Sequence, residues 1–532
     1  MEPTRAGLRQ DRVVDRDERT VAGTTVVGTP PPLMPPEPDP VVRLGPPMPT
    51  DTARGWVVAL VLALLGGVLR FTGLGYPTDA GTPVFDEKHY VPQAWQMLRN
   101  GGVEDNPGYE LVAHPPLGKQ LIAVGEWVFG YDPVGWRAAA ALCGTLMILM
   151  IVRVGRRLTR STLLGGIAGV LLICDGVSHV QARVGMLDIF QAFFVLAAFC
   201  TLVRDRDDVR DRLGTLLDRV GDTPFGPAIG VRWWRIATGV LLGMACGVKW
   251  SGVYWIVFFG VLSVLWDVAA RRSAGVARPW AGAVKRDLLP ALGTLALLPV
   301  LTYLACWWAW FGSEVGIDRH VVGREVGTGG TWSFVPDALR SLWYYSGHVL
   351  DFHESLDTPA GHPHPWESKP WTWPMGLRPM LYFYESDIPC TDGTCTSAVM
   401  LVGTPALWWP AIPVLGWAIW RVVTRLDWRY VAVLVGYGAG FLPWFLNLDR
   451  QMYFFYMTPV APFLVLATVL AMGDVLGRAQ RAGSERRQTG LLVVGLWVGA
   501  VVANFAWLWP ILVGLPITPG HWQAELWLPS WR

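Results

Sequence analysis

Long apolar runs alternate with short charged connections along almost the whole chain. Runs of about 20 apolar residues, the length that crosses a bilayer, fall near 56–74, 134–152, 162–180, 184–203, 235–248, 252–269, 289–311, 398–420, 430–447, 452–473 and 490–513. Each reads as a membrane-spanning helix, so the pattern predicts an all-α polytopic membrane protein with about eleven spans. The fifth and sixth runs are short, and charge decides whether they are one helix or two. The connections 204–232 and 271–286 are both rich in Arg and Lys, and such loops stay on the cytoplasmic side. The chain between them therefore crosses twice, as a tight hairpin with Lys249-Trp250-Ser251-Gly252 at its outer crown. The same rule places 153–160, 421–429 and 478–487 inside. The N-terminus is then cytoplasmic and the C-terminus external. Two large segments remain on the outer face, 76–133 and 312–397.

Composition agrees with a membrane protein. Of 532 residues 52% are hydrophobic and only 16% are charged, against roughly 25% charged in soluble domains. The net charge of +2 gives no reason to expect nucleic acid as a partner. Residues 1–54 are polar and Pro-rich, without a short apolar core ending in a small-residue cleavage site. They read as a disordered cytoplasmic tail, leaving 55–532 as the membrane domain. Five of the seven cysteines lie in apolar runs and read as small buried hydrophobes. Cys390 and Cys395 flank a turn signal, and outside the cytoplasm they would close a small disulfide loop.

The chemistry-bearing residues gather on the outer side. All nine histidines map there, whereas a channel or transporter would place polar groups at mid-bilayer. An interfacial active site fits better. Asp86 and Glu87 follow the first run, and helical neighbours point about 100° apart, so one can face a substrate while the other holds the scaffold. Val91, Trp95 and Leu98 recur at helical spacing after them. Asp86 therefore also sits where an N-cap would be. The outer cations are few: Arg137, Arg183, Lys249 and Arg450 are candidates for a lipid phosphate. Each alone reads better as snorkelling or a lipid-headgroup contact, and it is the set together that points to an anionic lipid-linked ligand. His114, Lys119 and Asp188 complete this set. In the second outer segment, His364, Trp366, Glu367 and Trp371 could bind a sugar or an extended peptide, or form an interfacial aromatic belt. His362-Pro363-His364 lacks a fixed face and a third ligand, so no metal site is assigned.

The motifs Phe85-Asp86-Glu87-Lys88-His89-Tyr90, His114-Pro115-Pro116-Leu117-Gly118-Lys119, Arg183 to Asp188, Val248-Lys249-Trp250-Ser251-Gly252 and His364-Pro365-Trp366-Glu367-Ser368-Lys369-Pro370-Trp371, in this order, resemble the protein O-mannosyltransferases. These form glycosyltransferase family 39 of the GT-C superfamily, and the short second outer segment resembles the actinobacterial type. The resemblance implies a GT-C fold in the plasma membrane, with an extracytoplasmic active site. It implies transfer of one mannose from polyprenyl-phosphate mannose to Ser or Thr of proteins emerging from the secretion machinery, with inversion. Asp86 matches the general base and Glu87 its partner. Arg137 matches an arginine needed for activity. Membrane lipids are the other expected partners. No obligatory cofactor is implied, and a divalent ion is left open. A GT-C transferase acting on a glycolipid or other non-protein acceptor is the alternative.

Overall fold

The computed structural model describes residues 44–45, 47–104, 113–220, 223–357, 364–391, 393–477 and 484–532. It is mostly helical. In chain order the first helices are α1 (Thr52–Phe71), α2 (Glu87–Arg99), α3 (Leu117–Phe129), α4 (Pro133–Thr159), α5 (Thr162–Ile173), α6 (Gly176–Gln181), α7 (Asp188–Val220), α8 (Trp233–Val248) and α9 (Gly252–Ser273). Six helices among the described residues are long and apolar enough to cross a membrane: α1, α4, α9, Pro279–Cys306, Pro405–Arg425 and Glu485–Val513. Three shorter apolar helices, α5, α8 and Ala461–Leu476, pack among them. These features make the chain a multi-pass membrane protein.

Polar contacts sort the helix ends into two groups. Arg156, late in α4, pairs with Asp51 just before α1 at 2.6 Å. Arg157 and Arg160 pair with Asp207 of α7, and Arg232, ahead of α8, pairs with Asp205 and with Asp267 of α9. At the opposite ends, Lys249 between α8 and α9 pairs with Asp188 at the start of α7, and Arg183 meets the last turn of α1. Charges are thus kept at the two ends of the bundle, where water or headgroups can solvate them.

Three expectations need correction. The tail does not run to residue 54: Asp51 is held by Arg156 and Thr162, the Leu44 carbonyl accepts from Arg210, and α1 starts at Thr52. Residues 1–43 lie outside the described part. Second, the run 398–420 is not one helix. Its first residues belong to an antiparallel hairpin of β1 (Met380–Cys390) and β2 (Gly393–Leu401), with Tyr384 opposite Ala398 and Met380 opposite Leu401. The helical stretch begins at Pro405. A short apolar run bounded by Gly403 and Pro405 is compatible with a buried strand as well as with a helix, and Cys395–Leu401 are buried throughout. The fold is therefore helical with one β-hairpin rather than all-α. The Cys390–Cys395 disulfide closes the hairpin, with 5.9 Å between Cα atoms. Third, the run 184–203 continues as helix α7 far into the charged segment, to Val220.

Helix Pro279–Cys306 contains two π turns, Val284–Leu288 and Gly293–Leu297. Pro290 and Pro299 lack N–H groups and press on the preceding turn, and a π turn opens that turn. This helix crosses α8 at small residues: a Cβ on Gly239 would run into the Thr294 carbonyl, and one on Gly243 would lie 2.6 Å from the Pro299 oxygen. Such close backbone approach is how helices associate where no hydrophobic effect drives them together. Gly239→Leu is expected to lower stability by roughly 1–3 kcal/mol through overpacking. The check is thermal unfolding in detergent, where an unchanged midpoint would count against this seam.

Candidate active site

The Asp86-Glu87 pair lies at the start of α2, and the two carboxylates have separate surroundings. Glu87 is fully buried. Its Oε1 accepts from Arg137 Nε at 2.7 Å and from the Gly185 N–H at 2.7 Å. Its Oε2 accepts from Arg137 Nη2 at 2.8 Å and from the Val84 N–H at 3.0 Å. Arg137 Nη1 donates to the Leu74 carbonyl at 3.1 Å. Each oxygen of Glu87 thus takes two donors, and the pair joins the Asp-Glu loop, α4 and the loop before α7. Asp86 is different. Only its backbone carbonyl takes part in the turn, accepting from His89 N at 3.0 Å. Among the described residues its carboxylate makes no capping hydrogen bond, and it lines a cavity of about 840 Å³.

Six of the residues singled out from the sequence meet at this cavity: Asp86, His114, Lys119, Asp188, Lys249 and Arg450. Lys249 donates from Nζ to Asp188 Oδ2 at 2.8 Å. Its turn is held by Gln191, whose amide donates to the Lys249 carbonyl and to Ser251 Oγ. Gly252 is needed there, since a Cβ would lie 2.7 Å from the Cys246 nitrogen. Arg450 donates to the His353 carbonyl and, at 3.3 Å, to His353 Nδ1. The His353 Nε2 lies 3.1 Å from the Ala113 carbonyl and donates to it. The His114 ring lies 5.4 Å from that of His353 and 6.0 Å from that of Tyr90. Lys119 lies at the cavity margin, paired with Glu104 at 2.5 Å and donating to the His114 carbonyl at 3.2 Å.

The electrostatics are uneven. Burial pushes the Asp86 carboxyl above the usual carboxylate range, partly opposed by Lys249 and His89. Burial pushes His114 well below its ordinary value, with Lys249 adding to it, and pushes His353 down to about 4, with Arg450 adding to it. Both imidazoles are neutral at physiological pH. His114 can exchange hydrogen bonds with hydroxyl groups without adding charge to a pocket whose lining already includes Lys119, Lys249 and Arg450.

The remaining candidates lie elsewhere. Arg137 does not reach the cavity as a phosphate ligand; its guanidinium is committed to Glu87 and Leu74. Arg183 is directed away too, donating to the carbonyls of Leu69, Arg70, Thr72 and Gly73 at the end of α1. Those carbonyls have no helical partner, so a cation is favourable there. Glu367 pairs with Lys369 at 2.7 Å, and Lys369 donates to the carbonyls of Leu448 and Arg450. The Glu367 segment therefore supports the Arg450 loop from behind. His364 packs edge-on against Tyr453, Trp366 lies against Arg378, and Trp371 is exposed. His362 lies outside the described residues, and His179 is enclosed between Phe505 and Trp509, away from the cavity. Among the described residues no three His, Cys, Asp or Glu side chains converge as a metal site would. Sequence reasoning missed Gln191, Tyr254 and Tyr456 as cavity residues, and it noted His353 in the second outer segment without giving it a role. The signal available for His353 was the mapping of all nine histidines to one side; the others carry no such signal.

The solved structure of the Saccharomyces cerevisiae protein O-mannosyltransferase Pmt1–Pmt2 complex bound to the sugar donor shares this fold, with a TM-score of 0.70 at 16% identity over 91% of this chain and 93% of that one. That likeness is one of fold. A family model described as dolichyl-phosphate-mannose-protein mannosyltransferase matches residues 134–312, and one described as the C-terminal four TMM region of protein-O-mannosyltransferase matches residues 338–531. The polyprenol-phosphate-mannose–protein mannosyltransferase of Mycolicibacterium smegmatis (strain MKD8) is 53% identical over 98% of this chain and 99% of its own length. That of Mycobacterium tuberculosis (strain H37Rv) is 56% identical over 93% and 95%. The chain belongs to the protein O-mannosyltransferase family.

Two consequences can be measured. Arg137→Met leaves Glu87 charged, buried and short of donors, a loss of roughly 3–5 kcal/mol for a broken buried pair. Detergent melting and membrane yield should fall sharply, and a parental melt would exclude the pairing. Asp86 behaves in the opposite sense. A carboxyl whose value is raised by folding binds protons more tightly in the native state, so stability falls as pH rises from the unfolded-state value through the folded one. Asp86→Asn removes this penalty and should melt no lower than the parent at neutral pH; a clear drop would show that the carboxylate is needed for folding.

Proposed function

We propose that this chain transfers one mannose from polyprenyl-phosphate mannose to Ser or Thr hydroxyls of proteins, with inversion at C1 and Asp86 as general base. The observation that carries this reading is the division of labour at Asp86-Glu87: Glu87 is held by four donors, while Asp86 keeps its carboxylate open to the cavity. The names of the two mycobacterial relatives, which specify a polyprenol-phosphate-mannose donor and a protein acceptor, support the substrates.

The chemistry follows from the groups at hand. An aliphatic hydroxyl is a weak nucleophile until a positioned carboxylate accepts its proton. Its oxygen forms the bond to C1 as the bond from C1 to the phosphate oxygen breaks. The bonding pair leaves with polyprenyl phosphate, and the proton goes to Asp86. A single displacement needs one base and no covalent intermediate; a second free carboxylate is the mark of retaining chemistry. Lys249 and Arg450 balance the charge that builds on the departing phosphate. Asp188 and His353 hold these cations from the far side. Arg137 acts through Glu87, as a positioning residue rather than a phosphate ligand.

The bundle end that carries the cavity faces outward, with eleven crossings of the plasma membrane and a cytoplasmic N-terminus. The Arg-rich connections at the opposite end support this orientation. An outward site can meet acceptor polypeptides as they leave the secretion machinery, and it draws its lipid donor from the surrounding bilayer.

Membranes carrying the protein, given labelled polyprenyl-phosphate mannose and a Ser/Thr-rich peptide, should label the peptide. Label appearing only in lipid would favour a glycolipid acceptor. Asp86→Asn should reduce transfer at least about 100-fold, the scale of a general base; near-parental transfer would remove Asp86 from the mechanism. Because folding raises the Asp86 value, the acid limb of kcat should lie above the ordinary aspartate value of about 3.9.

A further inference from the structure

We infer that Tyr382, on β1, is a positioning residue for the reaction: its ring holds Phe85 in the left-handed turn that presents Asp86 to the cavity. The inference rests on Asp86 being the base. Phe85 has φ 51°, a region that a bulky residue without local hydrogen-bonding groups rarely occupies and that persists only where surrounding contacts impose it. Those contacts are visible. The Phe85 ring stacks on Tyr382 with centroids 4.4 Å apart and planes 11° apart, and it meets the edge of Phe455 at 6.2 Å. Tyr382 is itself immobilised, 4% exposed, its hydroxyl accepting from Gln181 Nε2 at 2.8 Å. Phe455 continues the row, with the Lys249 ammonium 5.5 Å from its ring centre.

Asp86 is thereby fixed through its two neighbours. Phe85 is clamped by an aromatic stack on one side, and Glu87 is bound to Arg137 on the other. The Asp86 side chain is positioned without giving up its oxygens to the protein. The same row of rings sets the spacing between the base and Lys249. Ordinary core packing would not require the left-handed turn at Phe85, which any unstacked Phe would leave.

The test uses full-length protein in nanodiscs with polyprenyl-phosphate mannose and a Ser/Thr peptide. A misplaced base lowers turnover more than binding, so Tyr382→Leu should cut kcat about 10- to 100-fold while donor KM moves less than about threefold. Tyr382→Phe keeps the stack and should stay within about threefold of parental kcat. Phe85→Leu removes the same stack from the other side, and it carries the test if Tyr382→Leu does not insert. The double variant should be no slower than the worse single by more than about threefold, since both delete one interaction. Parental kcat in Tyr382→Leu or Phe85→Leu, a loss confined to KM, or multiplied losses in the double variant would overturn the inference while Asp86→Asn remains inactive. An active Asp86→Asn would instead overturn the base assignment itself, and the positioning role with it.

Discussion

The buried pair of Glu87 and Arg137 is the constraint on which the site depends. Two charges removed from water are stabilised only when their hydrogen-bonding capacity is met, and here it is: the carboxylate takes four donors and the guanidinium reaches three acceptors. The pair ties together three segments far apart in sequence, the Asp-Glu loop, α4 and the turn at Gly185. It also gives two adjacent acids different surroundings. Glu87 is consumed by the scaffold, so its neighbour is the group left facing the cavity.

A second arrangement governs the cavity. Lys249 and Arg450 enter from different elements, and each is anchored from behind, by Asp188 and by His353. The two imidazoles beside them are neutral because burial and the neighbouring cations disfavour further positive charge. Positive charge in the lining thus rests on Lys119, Lys249 and Arg450 rather than on the imidazoles. The Glu367–Lys369 pair extends this support to the Arg450 loop.

Packing in the bundle follows the same economy. Charged residues are kept to the helix ends, where they pair across neighbouring elements. Between those ends, glycines let α8 and Pro279–Cys306 approach backbone to backbone, because apolar side chains gain little by leaving lipid for protein. Among the described residues the β-hairpin is the one sheet. It delivers Tyr382 to Phe85 and Ser397 to Tyr76.

The sequence by itself determined the membrane class, the order of most helices, the hairpin turn at Lys249 and the protein O-mannosyltransferase family. Each rests on a local signal: apolar run length, Arg-rich connections, or a short motif. It did not separate strand from helix at Ala398–Leu401, because a short buried apolar run has no period of its own. It also assigned Arg137 and Arg183 to a phosphate, since a cation near the membrane surface looks the same whether it meets a ligand, a carboxylate or the end of a helix. Only the tertiary structure decided those partners. Glu87 and Gly185 are brought to each other from 98 residues apart, and no pattern along the chain records which buried donors a carboxylate will meet. For the same reason the chain could mark Asp86 equally as cap or as base, whereas among the described residues its carboxylate makes no capping hydrogen bond and lines the cavity.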